Sequence, residues 1–295
     1  MPLEKTIVLG TVQLGIDYGI ANHLGKPSFE NVVAMIERSI AEEIFCFDTA
    51  KSYGDSEEIL GRVFDKLGIC DKVQVNTKLA AIKKGKLNRN QIYAEVKDSL
   101  VKLQINKLWS LMSHDFDSLQ IILQTGAIEK LKQDGFISFF GVSVYDVEQA
   151  NFALEQSDID IIQLPANAWD LKMYEAGIFE KAKKYNKIVM VRSVYLQGLL
   201  LLDPLMVKSK NREAYILSMA WNKWLYENNL NAVEASLGFV LHYADMLVIG
   251  AESPSQIQST ASKFRTAMIT KSQFRQWQNI VKKYDTKKIV DPRQW

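Results

Sequence analysis

Three observations predict a single closed (β/α)8 barrel, a TIM barrel, for residues 1–295. Eight short apolar runs recur along the chain, segments with helical periodicity separate them, and no linker or second composition regime interrupts this order. Alternating strands and helices indicate parallel β-α units, and eight such units are typical of a closed barrel. The runs are Thr6–Val12, Ile44–Phe47, Val73–Thr77, Leu108–Met112, Ile137–Val142, Ile159–Leu164, Ile188–Val191 and Met246–Ile249.

The first two helical segments show why the intervals between runs are interpreted as helices. In Asn31–Ala41 and again in Glu57–Leu67, apolar residues recur at three- and four-residue spacing and form one stripe. The competing fold is an open, doubly wound sheet, which usually carries a glycine-rich fingerprint after its first strand. Here the first run is followed by Gly10-Thr11-Val12-Gln13-Leu14-Gly15, which lacks that fingerprint.

The longest interval lies between the seventh and eighth runs, at about residues 197–243. It contains a loop, Leu201–Lys210, and two helical stretches, Arg212–Tyr226 and Ala232–Tyr243. At this place in a barrel an extended connection can cover a cofactor. Helices that only pack against the barrel are the equal alternative.

Composition limits the partners. Lys plus Arg number 36 and Asp plus Glu 34, so the formal net charge is +2, and neither a nucleic acid nor a membrane is expected as partner. The two cysteines, Cys46 and Cys70, suggest free thiols in a reducing compartment. Because we also find no signal peptide and no membrane-spanning stretch, we expect a cytoplasmic protein.

Four ionisable residues follow successive strands of the predicted barrel. Asp48, Lys78 and His114 lie at the ends of the second, third and fourth runs, and Tyr53 follows Asp48 on the next loop. In a (β/α)8 barrel these ends meet at one mouth, where the chemistry of the fold takes place. Buried charges need partners, so such a set indicates a functional site.

The four groups suit reduction of a carbonyl. Lys78 can lower the pKa of Tyr53 from its ordinary value of ~10, and Asp48 can hold Lys78 in place. His114 can donate a hydrogen bond to a substrate oxygen while Tyr53 donates a proton to it. Since no side chain delivers hydride, a nicotinamide cofactor is implied.

These residues, in their context, resemble the Asp-Tyr-Lys-His tetrad of the aldo-keto reductases. The matching segments are Phe47-Asp48-Thr49-Ala50, Tyr53-Gly54-Asp55-Ser56-Glu57, Thr77-Lys78-Leu79 and His114. The resemblance implies a (β/α)8 barrel, NADP(H) or less often NAD(H), and reduction of an aldehyde or ketone. It also implies that Tyr53 is the general acid/base, tuned by Lys78 and Asp48, and that His114 positions the carbonyl.

The resemblance extends to candidate cofactor contacts at the strand ends. It implies that Ser143 and Gln163 hold the nicotinamide carboxamide. Ser253 also suits a helix N-cap, so the following helix can direct its N-terminus at a cofactor phosphate. The full candidate set is Thr11, Ser143, Gln163, Arg192, Ser193, Gln197, Gly198, Leu199, Gly250, Ala251 and Ser253.

Two positions depart from the family pattern. Arg192 stands where many relatives carry a tyrosine under the nicotinamide, and it can stack on that ring, bind an anionic substrate or pair with a rim carboxylate. Near Gly250 no Lys or Arg is present to bind a 2′-phosphate, and Glu252 would repel it. Lys263 and Arg265 follow later and can reach it, so the cofactor that the resemblance implies, NADP(H), is expected with a slight preference over NAD(H).

The remaining expectations concern neighbours of the site and rival functions. Tyr18, Trp169 and Tyr195 follow strand ends and are weak candidates for lining a substrate pocket. Asp55 and Glu58 have the spacing of a capping box, and alternation predicts that Trp109 faces the helices. No histidine has metal-ligand spacing, so no metal is expected.

Two other function classes stay open. One is a lyase that forms a Schiff base through Lys78. The other is a regulatory protein that senses a bound cofactor with little turnover. The physiological carbonyl, the direction of reaction and the oligomeric state are not determined by the residues.

Overall fold

The computed structural model describes residues 5–22, 24–81 and 88–295. Eight parallel strands close into one barrel, each pairing with the next and the eighth with the first. The predicted (β/α)8 fold is therefore confirmed. The strands are β1 (Thr6–Gly10), β2 (Cys46–Asp48), β3 (Gln74–Leu79), β4 (Leu108–Ser113), β5 (Ile137–Ser143), β6 (Ile161–Pro165), β7 (Ile188–Arg192) and β8 (Met246–Gly250).

Helices fill the intervals and lie outside the strands. The two predicted at 31–41 and 57–67 are present, each starting one or two residues earlier. The helices are α1 (Val12–Gly15), α2 (Phe29–Ala41), α3 (Ser56–Leu67), α4 (Arg89–Leu103), α5 (Phe116–Gln124), α6 (Ala127–Gln133), α7 (Val147–Glu155), α8 (Lys172–Glu175), α9 (Ile178–Lys184), α10 (Pro204–Lys210), α11 (Tyr215–Glu227), α12 (Ala232–Leu241), α13 (Pro254–Thr266) and α14 (Lys271–Val281). Within the described ranges, none of them is long and apolar enough to cross a membrane.

Side-chain capping defines several helix starts, but not that of α3. Ser28 accepts a hydrogen bond from the Asn31 amide at the start of α2, as an N-cap residue does. Asp55 precedes α3 without capping it, because its carboxylate pairs with Lys26 at 2.5 Å. The predicted capping box of Asp55 and Glu58 is therefore wrong.

An apolar plug fills the inside of the barrel beneath the strand ends. Its members come from six strands and are buried: Val8, Cys46, Met112, Ile161, Met190 and Met246. Trp109 packs against this plug together with Phe139, their ring centroids 5.1 Å apart. The prediction that Trp109 faces the helices is wrong, because strict alternation does not hold at the start of β4. The plug fills the barrel beneath the polar side chains of the mouth.

The connection between β7 and β8 packs as a second core. Trp221 and Trp224 on α11 and Trp277 on α14 belong to it, and the indole N–H of each of these three donates a hydrogen bond. The helices begin and end close to the predicted bounds, at Tyr215–Glu227 and Ala232–Leu241. α11 and α12 pack into this core, while the two alternatives for the connection, a cofactor cover or additional packing helices, stay predictions. The predicted loop at Leu201–Lys210 is wrong for most of its length, because Pro204–Lys210 forms α10, capped by Asp203.

Candidate active site

A buried ion pair lies at the centre of the barrel mouth. The ammonium of Lys78, at the end of β3, lies 2.7 Å from each carboxylate oxygen of Asp48, at the end of β2. It also donates to the carbonyl of Thr49 at 3.0 Å. Lys78 is 1% exposed and Asp48 4%. Burial lowers the pKa of Lys78, and the carboxylate of Asp48 opposes that shift.

Three polar residues complete the surroundings of the Asp48 carboxylate. Asn76 donates its amide hydrogen to Asp48, and Ser110 donates its hydroxyl to the amide oxygen of Asn76. Gln163 on β6 donates to Asp48 from the other side, at 2.8 Å. Asn76 and Ser110 were not predicted from the sequence. The available signal was a polar residue on the inward face of a buried strand. Together they fix the carboxylate that holds Lys78.

Tyr53 and His114 stand beside this pair. The Tyr53 ring centroid lies 5.3 Å from the Lys78 ammonium and 6.1 Å from the His114 ring, in an edge-on arrangement. Nδ1 of His114 is 3.4 Å from the Ser52 hydroxyl. The structure therefore brings all four predicted tetrad residues to one mouth.

The electrostatics of Tyr53 differ from the sequence expectation. Burial raises the pKa of Tyr53, and the Asp48 carboxylate raises it further, while Arg192 opposes the shift. The expected lowering of this pKa by Lys78 is wrong, because burial and the Asp48 carboxylate outweigh it. For His114, burial and then the nearby Lys78 ammonium lower the pKa, so the imidazole is neutral at pH 7.

Tight backbone packing positions the turn that carries Tyr53. A Cβ at Gly15 would lie 1.7 Å from the Tyr53 carbonyl oxygen, and one at Gly54 would lie 2.5 Å from the Gly15 carbonyl oxygen. Gly54 also has φ +57°, a left-handed conformation that favours glycine. Behind the turn, the buried carboxylate of Glu57 accepts the Thr77 hydroxyl at 2.6 Å. Both sides of the turn are therefore held.

The carboxamide candidates lie side by side. Ser143 and Gln163 are paired in register on β5 and β6, and both are buried. The Gln163 amide nitrogen is bound to Asp48, whereas its amide oxygen faces no donor in the described part of the chain. Among those same residues the Ser143 hydroxyl has no hydrogen-bond partner. This donor and acceptor suit a ligand carboxamide.

The loop after β7 holds four more candidates in a strained backbone. Ser193, Leu196 and Gln197 have φ of +61°, +48° and +53°. Such conformations cost about 1–3 kcal/mol each and cluster at ligand sites. The Gln197 side chain accepts the Ile20 amide at 3.1 Å. Gly198, at φ +87°, packs on Ala21, and Leu199 is buried in the 3-10 turn that follows.

The last candidates flank β1 and β8. Thr11 is fully buried and donates to the Asp48 carbonyl at 3.0 Å, so it serves the tetrad loop directly. The Ala251 carbonyl accepts from Gln13 at 2.6 Å, beside the exposed Gly250. Ser253 accepts from the Gln256 amide and caps α13. The N-terminus of α13 thus lies next to the end of β8, at the barrel rim.

Comparison with known proteins assigns the family. The sequence profile described as the Aldo/keto reductase family matches residues 6–282. The chain belongs to the aldo/keto reductase family. The resemblance expected from the tetrad is confirmed.

Two curated relatives of this aldo/keto reductase match in part. Aldo-keto reductase YhdN of Bacillus subtilis (strain 168) is 31% identical over 183 residues, which cover 59% of this chain and 54% of the relative. L-galactose dehydrogenase of Arabidopsis thaliana is 29% identical over 150 residues, 47% of each chain. The chain spans about half the length of these relatives.

Solved structures share the fold over almost the whole chain. Aldo-keto reductase AKR11C1 from Bacillus halodurans, in its holo form, superposes with a TM-score of 0.78 at 19% identity and covers 100% of this chain and 98% of its own. The glycerol dehydrogenase AKR11B4 from Gluconobacter oxydans gives 0.71 at 23% identity, with 97% and 93% covered. At these identities the structures establish the barrel.

Within this aldo/keto reductase, Arg192 lies at the mouth on the end of β7. Its guanidinium donates to the Val144 carbonyl at 3.1 Å and lies 4.1 Å from the centroid of the Tyr145 ring. In the described ranges it forms no ion pair with a carboxylate. Among these residues, pairing with a rim carboxylate, one of three hypotheses for Arg192, is not observed.

The three weak substrate candidates occupy different places. Tyr18 is 39% exposed, and burial, together with Tyr53, raises its pKa to about 12. Trp169 is 1% exposed in the second core. Tyr195 is 9% exposed and its hydroxyl contacts Thr260 on α13. Of the three, Tyr18 is the most exposed.

Proposed function

We propose that this protein reduces an aldehyde or ketone to an alcohol with a nicotinamide cofactor. The observation that carries the proposal is the buried Lys78–Asp48 pair directly beneath Tyr53 and His114. Two compensated charges, a phenol and a neutral imidazole at one mouth form a proton-donating site for a carbonyl oxygen. The roles below rest on this arrangement and on family membership.

His114 orients the carbonyl. If the Ser52 hydroxyl donates to Nδ1, the imidazole carries its proton on Nε2, which can donate to a substrate oxygen. Tyr53 supplies the proton to that oxygen as negative charge develops on it. The raised pKa of Tyr53 keeps the phenol protonated at neutral pH, so the phenol has a proton to donate. The Lys78–Asp48 pair lies next to Tyr53, with the ammonium 5.3 Å from the ring centroid, and fixes the surroundings of the phenol.

The cofactor supplies the hydride when it is bound. Ser143 and the Gln163 amide oxygen are the residues that would hold its carboxamide, and the N-terminus of α13 would receive a phosphate. Lys263 and Arg265 already pair with Glu234 and Glu42, at 3.8 and 3.2 Å. The preference for NADP(H) over NAD(H) therefore stays a prediction, with a small margin.

Two measurements test the proposal. NADPH and NADH are titrated separately against tryptophan fluorescence, and a panel of carbonyls is assayed with the tighter cofactor. Tyr53→Phe is expected to bind cofactor as the wild type does and to lose ~10²–10⁴-fold in turnover. Tyr226→Phe is the matched control, because Tyr226 is 88% exposed on α11. Failure to bind either cofactor, or full activity of Tyr53→Phe, would contradict the proposal.

A lyase working through Lys78 is the second candidate. The pKa of Lys78 is lowered, which is the one property that favours a Schiff-base lysine. Three acceptor atoms hold the ammonium, however, which opposes attack on a substrate. Borohydride trapping with a keto substrate distinguishes the two, because a lyase is labelled at Lys78 and a reductase is not. Slow turnover despite tight cofactor binding would instead indicate a cofactor sensor.

A further inference from the structure

Arg192 faces the same interior space as the tetrad. It lies two residues after Met190, which belongs to the apolar plug inside the barrel, so both side chains leave β7 on its inner face. The side chain is half-buried. Its charge acts on Tyr53, Lys78 and His114 alike. The guanidinium therefore borders the volume in which a substrate would meet Tyr53.

The charge of Arg192 has no counter-charge in the part of the chain that the structure describes. The Asp48 carboxylate is matched by Lys78. Asp170, whose charge interacts with Arg192, pairs with Lys172 at 3.0 Å. With His114 neutral, the mouth keeps the positive charge of Arg192 uncompensated. A half-buried cation in this position is stabilised by an anion that arrives with a ligand.

The guanidinium is also held in place before any ligand binds. Arg192 lies against one aromatic ring, Tyr145, and that ring is contacted in turn by the Arg293 guanidinium, 3.7 Å from its centroid. Arg293 forms two hydrogen bonds with the Asp291 carboxylate, at 2.8 and 2.7 Å, so its own charge is matched. Arg293 thus supports Tyr145, and Tyr145 supports Arg192. One N–H of Arg192 binds the Val144 carbonyl, which leaves other donors for a ligand.

We propose that Arg192 binds a carboxylate or phosphate on the carbonyl substrate, so that the enzyme prefers anionic aldehydes and ketones to neutral ones. This inference rests on the proposed reductase function. A planar guanidinium with several free N–H groups matches both oxyanions in a two-point hydrogen bond. Arg192 is then a specificity-determining residue that orients the substrate.

The test compares charged and neutral carbonyls of similar size. Succinic semialdehyde is paired with butanal, and glyceraldehyde 3-phosphate with glyceraldehyde, which separates the carboxylate from the phosphate. kcat/KM is measured for wild type, Arg192→Gln and Arg192→Lys. Arg62→Gln is the matched control, because the exposed Arg62 also lies over an aromatic ring, Phe29, but on the outer surface.

The wild type is expected to prefer one anionic substrate to its neutral partner by at least ~10-fold. Arg192→Gln is expected to lose about 30-fold or more on that anion, the range for truncating one partner of a desolvated charge pair. On the neutral partner it should change less than about 3-fold, and Arg192→Lys should restore part of the loss.

Other outcomes overturn the inference in distinguishable ways. Equal losses on charged and neutral substrates, with weaker fluorescence-detected NADPH or NADH binding, would assign Arg192 to the cofactor. A wild type that reduces neutral and anionic carbonyls equally would also refute it, while leaving the proposed function intact. A wild type that binds neither cofactor and reduces no carbonyl would remove both.

Discussion

Replacing Asp48 by Asn removes the charge that matches the buried ammonium of Lys78. Lys78 is 1% exposed, so water cannot substitute for the lost carboxylate. Breaking one partner of a buried ion pair typically costs ~3–5 kcal/mol. The folded variant can avoid an unpaired charge by releasing the proton. For a lysine of ordinary pKa ~10.4, that release at pH 7 costs roughly 4.6 kcal/mol. We therefore expect Asp48→Asn to lose ~3–5 kcal/mol of unfolding free energy at pH 7.

The sign of the pH dependence follows from the same lysine. Its pKa in the folded protein is lowered, and loss of Asp48 lowers it further, so the unfolded chain binds more protons. Stability of the variant then rises as the pH increases, by up to ~1.4 kcal/mol per unit while folded Lys78 stays neutral. The deficit relative to wild type should narrow between pH 7 and pH 9.

Urea unfolding at pH 7 and pH 9 measures both effects. The double variant Asp48→Asn/Lys78→Met is the control, since it removes both charges and should be more stable than Asp48→Asn alone by over ~1 kcal/mol. A deficit below ~1 kcal/mol at pH 7, or one that does not change with pH, would show that the pair does not have the assigned role.

Three further predictions concern neighbouring residues. The pKa of His114 is lowered, so the imidazole titrates below ~6.5. The value of kcat/KM for carbonyl reduction should therefore be flat from pH 7 to 8 and fall only in acid. An NMR titration midpoint of His114 above ~6.5 would contradict this prediction. Gly15→Ala places a Cβ 1.7 Å from the Tyr53 carbonyl oxygen, so turnover should drop at least ~10-fold because the turn must move; a variant with wild-type turnover would show that Tyr53 tolerates the shift. Glu252→Gln removes a carboxylate near the expected 2′-phosphate and should tighten the binding of NADPH relative to NADH by about 3–10-fold. The ratio of the two dissociation constants measures this effect, and an unchanged ratio would place the phosphate elsewhere.

The strands and the tetrad were predictable because each depends on local pattern. An apolar run marks a buried strand, and a polar residue at its end marks the mouth, so Asp48, Lys78 and His114 followed from position alone. Boundaries shifted by one or two residues, as at β2, which ends at Asp48 rather than Phe47. The periodicity of whole elements therefore predicted the strands and helices correctly, whereas alternation failed for the single residue Trp109 at the start of β4.

The failures have a common physical cause, which is competition from distant residues. Asp55 pairs with Lys26 instead of capping α3, and the partner is 29 positions away. Burial and Asp48 determine the pKa of Tyr53. The order of residues does not show whether Asp48 or Lys78 has the larger effect on that pKa. Contacts between Tyr145 and Arg293 join parts of the chain that no periodicity connects. Such pairings are determined by tertiary packing.

The hydrogen bonds of the mouth also have a consequence for folding during synthesis. Gln163 reaches Asp48 across 115 positions, and Gln13 reaches Ala251 across 238. At a synthesis rate of ~5–20 residues per second, Ala251 is synthesised roughly 12–48 s after Gln13. Contacts of such long sequence separation form late and slowly. Until then β1 exposes an unpaired edge, so the nascent barrel depends on its own last strand for protection against aggregation.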